Sequence, residues 1–174
     1  MAKPESVNLW KTGTRRIEGD ILLFYTKNSP LSNHYPAEFR DDEYNTYNCM
    51  EQYLMYHKAL FFKDSVMCAR IMKAPRPIIH KALGRLVRNF DASAWRAVVP
   101  DILMRGLKAK FSQVLHCNIY LKSTSGLTLA EASRTDNFYG IGHSLCANEK
   151  YVSNQATWGN NLLGKCLMAV RADL

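Results

Sequence analysis

The sequence predicts an α+β fold, mainly α-helical, in a single domain with a few short strands. Three observations carry that expectation. Apolar residues recur at helical spacing through Trp95, Val98, Val99, Ile102, Leu103, Leu107, Phe111 and Val114, which marks a long helix with one face against a core. The run Ile21-Leu22-Leu23-Phe24-Tyr25 is instead short, apolar and β-competent, and it leads to the turn signal Asn28-Ser29-Pro30. Finally, 174 residues that are 47% hydrophobic suffice for one core and would divide poorly into two. Residues 1–19 read as an N-terminal extension and residues 20–174 as the domain.

The remaining elements follow in order. Residues 39–47 alternate loosely between aromatic and polar around Asp41-Asp42, the pattern of a short hairpin. A helix is expected from near Asn48, whose side chain can cap free N–H groups, with Glu51 three residues later completing a capping-box pattern. It carries Tyr53, Leu54, Tyr56, Leu60 and Phe61. The next helix, residues 64–73, stops at Pro75 and Pro77, because proline lacks an N–H and restricts the residue before it. Residues 78–87 read as another short helix. Pro100 falls inside the periodic stretch 93–114, so that helix either starts there or is kinked. Residues 127–132 fit a short strand, residues 136–142 a polar loop punctuated by glycine, and residues 161–174 an amphipathic helix that Asn161 could cap.

Composition excludes several classes. A 22% charged fraction beside 47% hydrophobic residues is not that of a disordered chain. Met1 to Trp10 lacks the apolar run of a leader, and nowhere do about 18 apolar residues follow one another, so a cytoplasmic protein without membrane contact is expected. The five cysteines (Cys49, Cys68, Cys117, Cys146, Cys166) are odd in number and form no C-x-x-C pair, which argues for free, buried thiols. His34, His57, His80, His116 and His143 show neither H-x-H nor H-E-x-x-H spacing, so neither a metal nor another cofactor is expected. The net charge is +8, and ten Lys or Arg stand against two acids between Arg70 and Lys110. Such an excess suits a polyanion, either a phosphorylated small molecule or nucleic acid. No helix-turn-helix, zinc finger or RNA-binding aromatic motif accompanies it, so nucleic acid enters only as something a basic rim could guide.

Two places could carry chemistry. Glu51 and Lys58 lie seven residues apart, nearly two helical turns, so both side chains leave one face and can reach one cleft. The large neighbours Tyr53, Leu54, Tyr56 and Leu60 imply burial, where a charge is costly without a partner or a purpose. Asp136 precedes Phe138-Tyr139-Gly140-Ile141-Gly142, where glycines permit close backbone approach and an aromatic ring offers a stacking plate. In Trp158-Gly159-Asn160-Asn161, the start of the last helix offers N–H groups to a phosphate.

These residues belong to a longer series: Phe24-Tyr25, Leu31-Ser32-Asn33, Glu51-Gln52-Tyr53 through Lys58-Ala59, Gly84-Arg85, Lys110-Phe111-Ser112-Gln113, Asp136 through Gly142, and Trp158-Gly159 through Arg171. Over residues 20–172 the series resembles the NADAR (NAD- and ADP-ribose-associated) family. Its most specific parts are the Glu-Gln-x5-Lys-Ala helix and the terminal W-G-x-N-x-L-G-x-x-L-M-x-x-R. The resemblance implies an N-glycosidase. Its substrate would be a phosphoribosyl-amine intermediate of riboflavin biosynthesis or an ADP-ribosylated guanine, free or on nucleic acid. It further implies catalytic roles for Glu51, Lys58 and Asp136, and a pocket lined by Ser32, Asn33, Tyr139, Gly140, Trp158, Gly159 and Asn161. The chain departs from the family at Tyr139, commonly tryptophan, and in a longer loop over residues 143–157.

Two mechanisms suit such residues. Lys58 could open the sugar as a nucleophile and form a Schiff base, with Glu51 or Asp136 moving protons. Otherwise a carboxylate steadies an oxocarbenium-like ribose and activates water while Lys58 holds phosphate or orients Glu51. A rival of another class is a module that binds ADP-ribose or a related nucleotide without cleaving it, since a fold alone does not guarantee chemistry.

Overall fold

The computed structural model describes residues 9–174. The expected absence of a leader over Met1 to Trp10 therefore falls, apart from its last two positions, outside the described residues. A short helix α1 (Leu9–Thr12) leads into β1 (Thr14–Ile17), so residues read as an N-terminal extension supply a strand. β1 pairs antiparallel with β2 (Ile21–Phe24), which pairs parallel with β5 (Thr128–Glu131), giving the order β1-β2-β5. β2 is buried on both faces: Leu22 and Phe24 join the main core, while Ile21 and Leu23 join a smaller one with Ala130, Ile141 and Val152. Successive strand side chains point to opposite faces, so a doubly covered strand reads as an unbroken apolar run. The expected hairpin forms between β3 (Phe39–Arg40) and β4 (Thr46–Tyr47).

The parallel β2–β5 connection contains most of the helices. α2 (Met50–Phe61) packs against α3 (Ser65–Lys73), α4 (Pro77–Gly84) and α5 (Ala92–Gln113). Its start departs from expectation. Cys49 occupies the cap position without a side-chain capping bond, and Gln52 Oε1 accepts the Asn48 N–H at 2.7 Å. Gln52, one residue beyond the expected position, makes the reach-back bond and leaves Glu51 free. α3 is capped by Asp64, whose Oδ1 accepts the Met67 N–H at 3.1 Å, and α4 opens on Pro77, where a missing N–H costs nothing. α5 begins at the Asp91 cap and continues beyond Pro100, so Pro100 does not start it. Proline removes one helical bond, and burial of Trp95, Val99, Ile102 and Leu103 holds the flanking turns. α6 (Leu115–Ser123) and α7 (Glu149–Val152) were not indicated by the sequence, whereas α8 (Leu162–Ala172) closes the chain as expected. Cys49, Cys68, Cys117 and Cys166 are buried free thiols, but Cys146 is exposed. Among the described residues no helix is long and apolar enough to cross a membrane.

One charge lies at the centre of this packing. Lys110 is 0% exposed, and its Nζ donates to the carbonyls of Pro30 at 2.7 Å and Ser32 at 3.2 Å. The rings of Phe111 and Tyr35 lie 4.9 and 5.6 Å away. Burial pulls the amine down to about 8; two carbonyl acceptors offset part of that cost. Lys110→Ala would strand the Pro30 carbonyl and open a void, an expected loss of about 3–5 kcal/mol. Calorimetry should read this as a fall in Tm of roughly 6–20 °C for a chain of this size. A variant that melts with the wild type would show that the 30–33 loop needs no such anchor.

Candidate active site

α2 presents Glu51, Leu54, Met55 and Lys58 on one side, the rows of a helix three, four and seven apart. These four side chains form one wall of a cavity of about 360 Å³, within the range of roughly 300–1,000 Å³ usual for small-molecule sites. Lys81, Gly84 and Arg85 face them from the end of α4, and Phe90, Trp95 and Arg96 from the start of α5. Asn33, His34, Glu131, Asp136, Phe138 and Tyr139 complete the lining. Glu51, Lys58 and Asp136 thus share one hollow although Asp136 is far away in sequence.

Each of the three is held differently. Glu51 is 6% exposed, with His34 Nε2 3.6 Å from its Oε2. Lys58 Nζ donates to the Gly84 carbonyl at 2.8 Å and lies 3.9 Å from the centre of the Phe90 ring. Burial lowers its pKa, and the charge of Glu51 works in the opposite direction. The carbonyl is within reach because α4 meets α2 at a glycine: a Cβ on Gly84 would overlap Met55 Sδ. Asp136 Oδ1 accepts the N–H groups of Phe138 and Tyr139, both at 2.9 Å, which fixes the loop around it. The Tyr139 hydroxyl accepts the Trp95 Nε1–H at 3.0 Å, and burial raises the phenol above its ordinary pKa.

The expected binding residues divide. Asn33 and Tyr139 line the cavity, and Asn33 Oδ1 is buried without a hydrogen-bond partner among the described residues. Ser32, Gly140, Trp158, Gly159 and Asn161 do not line it. The Ser32 Oγ accepts the His34 N–H at 3.1 Å. The Trp158 indole donates to the Val152 carbonyl at 2.8 Å, within the smaller core. Gly159 packs so closely on Asn137 that a Cβ would overlap its backbone carbonyl. Asn161 does not cap α8 with its side chain: at φ 51° it turns back to β5, where Oδ1 accepts the Glu131 N–H and Nδ2 donates to the Leu129 carbonyl. The N–H groups of Asn161, Leu162 and Leu163 donate to the carbonyls of Gly140, Phe138 and Tyr139, so these three are committed within the fold. His57 projects elsewhere, into a separate hollow of about 90 Å³ with Asp41 and Arg105.

Glu131 was missed. It sits at the end of β5, in Leu127-Thr128-Leu129-Ala130-Glu131-Ala132. The signal was a lone carboxylate among apolar strand residues, where an unpaired charge is costly. Burial, followed by the negative charges of Asp136 and Glu51, pushes it up to about 8, with Lys81 acting weakly in the other direction.

Comparison with known proteins follows the same lines. The sequence model of the NADAR domain matches residues 23–174. The chain belongs to the NADAR family. It is similar to N-glycosidase R617 of Acanthamoeba polyphaga mimivirus, 37% identical over 148 residues that cover 82% of this chain and 86% of that one. Protein irg-1 of Caenorhabditis elegans is 32% identical over 170 residues, covering 88% and 79%. The NMR structure of E. coli protein YbiA matches with a TM-score of 0.70 at 24% identity, over 94% of this chain and 90% of that one, and shows the same NADAR fold. This NADAR protein is an enzyme of the N-glycosidase class.

The raised Glu131 makes stability depend on pH. In the unfolded chain a glutamate titrates near ~4.3, whereas in the fold Glu131 keeps its proton up to about 8. Between those values the folded state binds the extra proton, so this contribution is complete below about 4.3 and is lost as pH rises through 8. Glu131→Gln cannot lose a proton. Relative to wild type, its Tm is expected to be higher by several degrees at pH 9 and nearly equal at pH 5. An offset equal at both pH values would contradict a protonated Glu131.

Proposed function

We propose that this enzyme hydrolyses the bond between the anomeric carbon of a phosphorylated ribose and the nitrogen of a planar base or amine. The observation that carries the reading is the convergence of Glu51, Lys58 and Asp136 on one cavity also lined by Lys81, Arg85 and Arg96. Cations suit the phosphates. The rings of Phe90, Trp95, Phe138 and Tyr139 offer faces and edges to a base. Substrates in keeping with both are a phosphoribosylamino-pyrimidine of riboflavin biosynthesis and an ADP-ribosylated guanine.

The basic segment supports a small phosphorylated substrate ahead of a nucleic-acid strand. Of its cations, Arg88 is tied to Asp64 at 2.9 Å, Lys108 to Asp173 at 2.8 Å, and Lys110 is buried, while Lys81, Arg85 and Arg96 reach the cavity. A modified base carried on DNA or RNA is the second form in which the same group would enter.

In the reaction, positive charge developing at the anomeric carbon is met by carboxylates, and the leaving nitrogen takes up a proton. Burial brings Lys58 towards its neutral, nucleophilic form, which supports the route through a ring-opened sugar and an imine to Lys58. Glu51 and Asp136 then move protons to and from water. No cofactor enters this scheme.

The reading is tested by incubating the protein with phosphoribosylamino-pyrimidine and ADP-ribosylated guanosine and following the free base by mass spectrometry. Lys58→Ala is expected to lower turnover at least about 10³-fold, and Glu51→Gln by about 10²–10⁴-fold. Intact ligand bound with measurable affinity would make the protein a binding module instead. Borohydride added during turnover should leave a ribose-phosphate adduct on Lys58. Turnover without such an adduct would select the oxocarbenium route.

A further inference from the structure

Glu131 fits a role that none of the residues already assigned fills. Resting on the reading above, we propose that Glu131 is the general acid that protonates the departing nitrogen.

The case begins with position. The Glu131 side chain faces the same cavity as Glu51, Lys58 and Asp136, and among the described residues no hydrogen bond or ion pair holds its carboxyl. Its backbone, by contrast, is fixed on both sides. The N–H donates to Asn161 Oδ1 at 3.2 Å, and the carbonyl accepts the Ile141 and Ser133 N–H groups at 2.9 and 3.0 Å. A rigid backbone with an uncommitted carboxyl is what a proton donor needs: its hydrogen bond is kept for the substrate.

The surroundings supply the proton. Asp136 faces Glu131 from the following loop, Glu51 from α2 and Lys81 from α4. Lys58, Arg85, Arg96 and His34 stand around the same space. Two nearby carboxylates and burial keep Glu131 protonated up to about 8, against one opposing lysine. Three carboxyl groups in one cavity cannot all ionise cheaply.

The step balances as follows. As the anomeric carbon–nitrogen bond breaks, its electron pair goes to the nitrogen, which takes the Glu131 proton and leaves as a neutral amine or base. Lys58 meanwhile bonds to the anomeric carbon and the sugar ring opens, the ring oxygen taking up a proton from the amine. Water then adds to that carbon, the carbon–Lys58 bond breaks to free the amine and the sugar, and the proton released by the water returns to the Glu131 carboxylate. Nothing is oxidised or reduced, and the enzyme regains its starting state.

The test compares two leaving groups. An amino-linked substrate, phosphoribosylamino-pyrimidine or ADP-ribosylated guanosine, needs protonation at nitrogen. Nicotinamide mononucleotide does not, because its cationic pyridinium leaves neutral. Glu131→Gln is expected to lower kcat on the amino-linked substrate by about 10²–10⁴-fold. On nicotinamide mononucleotide, the loss should stay within about tenfold. The wild-type kcat on the amino-linked substrate should fall at alkaline pH with a limb near 8, and that limb should vanish in Glu131→Gln while Glu131→Asp retains it.

Equal losses on both substrates, or an alkaline limb unchanged by Glu131→Gln, would overturn the proposal while leaving the N-glycosidase reading intact. If nicotinamide mononucleotide is not a substrate, the limb alone decides. A wild-type protein that cleaves neither substrate would remove the reading and this role with it.

Discussion

The site depends on a buried ammonium that takes no part in it. Lys110 binds the carbonyls of Pro30 and Ser32, and the carbonyl of the next residue, Asn33, accepts the Glu51 N–H at 2.9 Å. The first turn of α2 is therefore docked on a loop that α5 holds from inside the core. From that turn the helix sets the rest: Glu51 is fixed at its start, and Lys58 follows two turns later on the same face. An apolar residue at 110 could fill the volume but could not satisfy two inward-facing carbonyls. The cost of burying the charge, visible in its lowered pKa, is the cost of orienting the loop.

Much of the fold was legible because it rests on local signals. The unbroken apolar run of β2, the Asp41 hairpin and the end of α3 before Pro75 each appear where physics places them, whereas α4 takes in Pro77, expected as a stop, and ends at Gly84 ahead of the expected residue 87. Capping was harder to read. Asn48 has the right side chain, yet Cys49 takes the cap position and Gln52 makes the returning bond, because the approach of the preceding strand decides which residue turns into the helix. Tyr53 and Leu54 are buried as their bulk suggests, while Leu60 is 47% exposed, since it lies off the face that α3, α4 and α5 cover. β1, α6 and α7 left no periodic signal, being short and stabilised by partners distant in sequence.

The site was legible where one helix carries it and obscure where two segments meet. Spacing alone placed Glu51 and Lys58 together. Glu131 required knowing that β5 ends beside the Asp136 loop, which is a tertiary fact. The terminal Trp158-Gly159 segment, which the family resemblance implies as pocket lining, lies outside the lining of this cavity. Its glycine is needed for backbone contact with Asn137, its Asn161 clamps β5, and the first N–H groups of α8 are consumed by carbonyls of residues 138–140. So distinctive a sequence outside the cavity lining makes physical sense. Asp136 is carried on a loop, and a loop keeps a carboxylate within tenths of an ångström only when its backbone is bonded to something rigid. A pattern rich in glycine, tryptophan and asparagine is a pattern of close packing and side-chain-to-backbone bonds, and here those serve the wall behind the site.

The cavity then sets two opposite demands on its charges. Glu131, pressed by burial and by the charges of Asp136 and Glu51, tends to remain neutral, whereas Lys58 is pulled both ways: burial favours the free amine, while the Gly84 carbonyl, the Phe90 ring and Glu51 favour the ammonium. On the proposed route, attack on carbon requires Lys58 to leave the carbonyl and, where it is charged, to pass a proton to a carboxylate, and Glu51 lines the same wall. Substrate entry favours that transfer, because excluding water weakens the solvation that an ammonium needs more than a neutral amine does. On the proposed route the cavity therefore sets both tasks with the same surroundings: Lys58 is freed for attack as water leaves, and Glu131 keeps the proton that the departing nitrogen takes up.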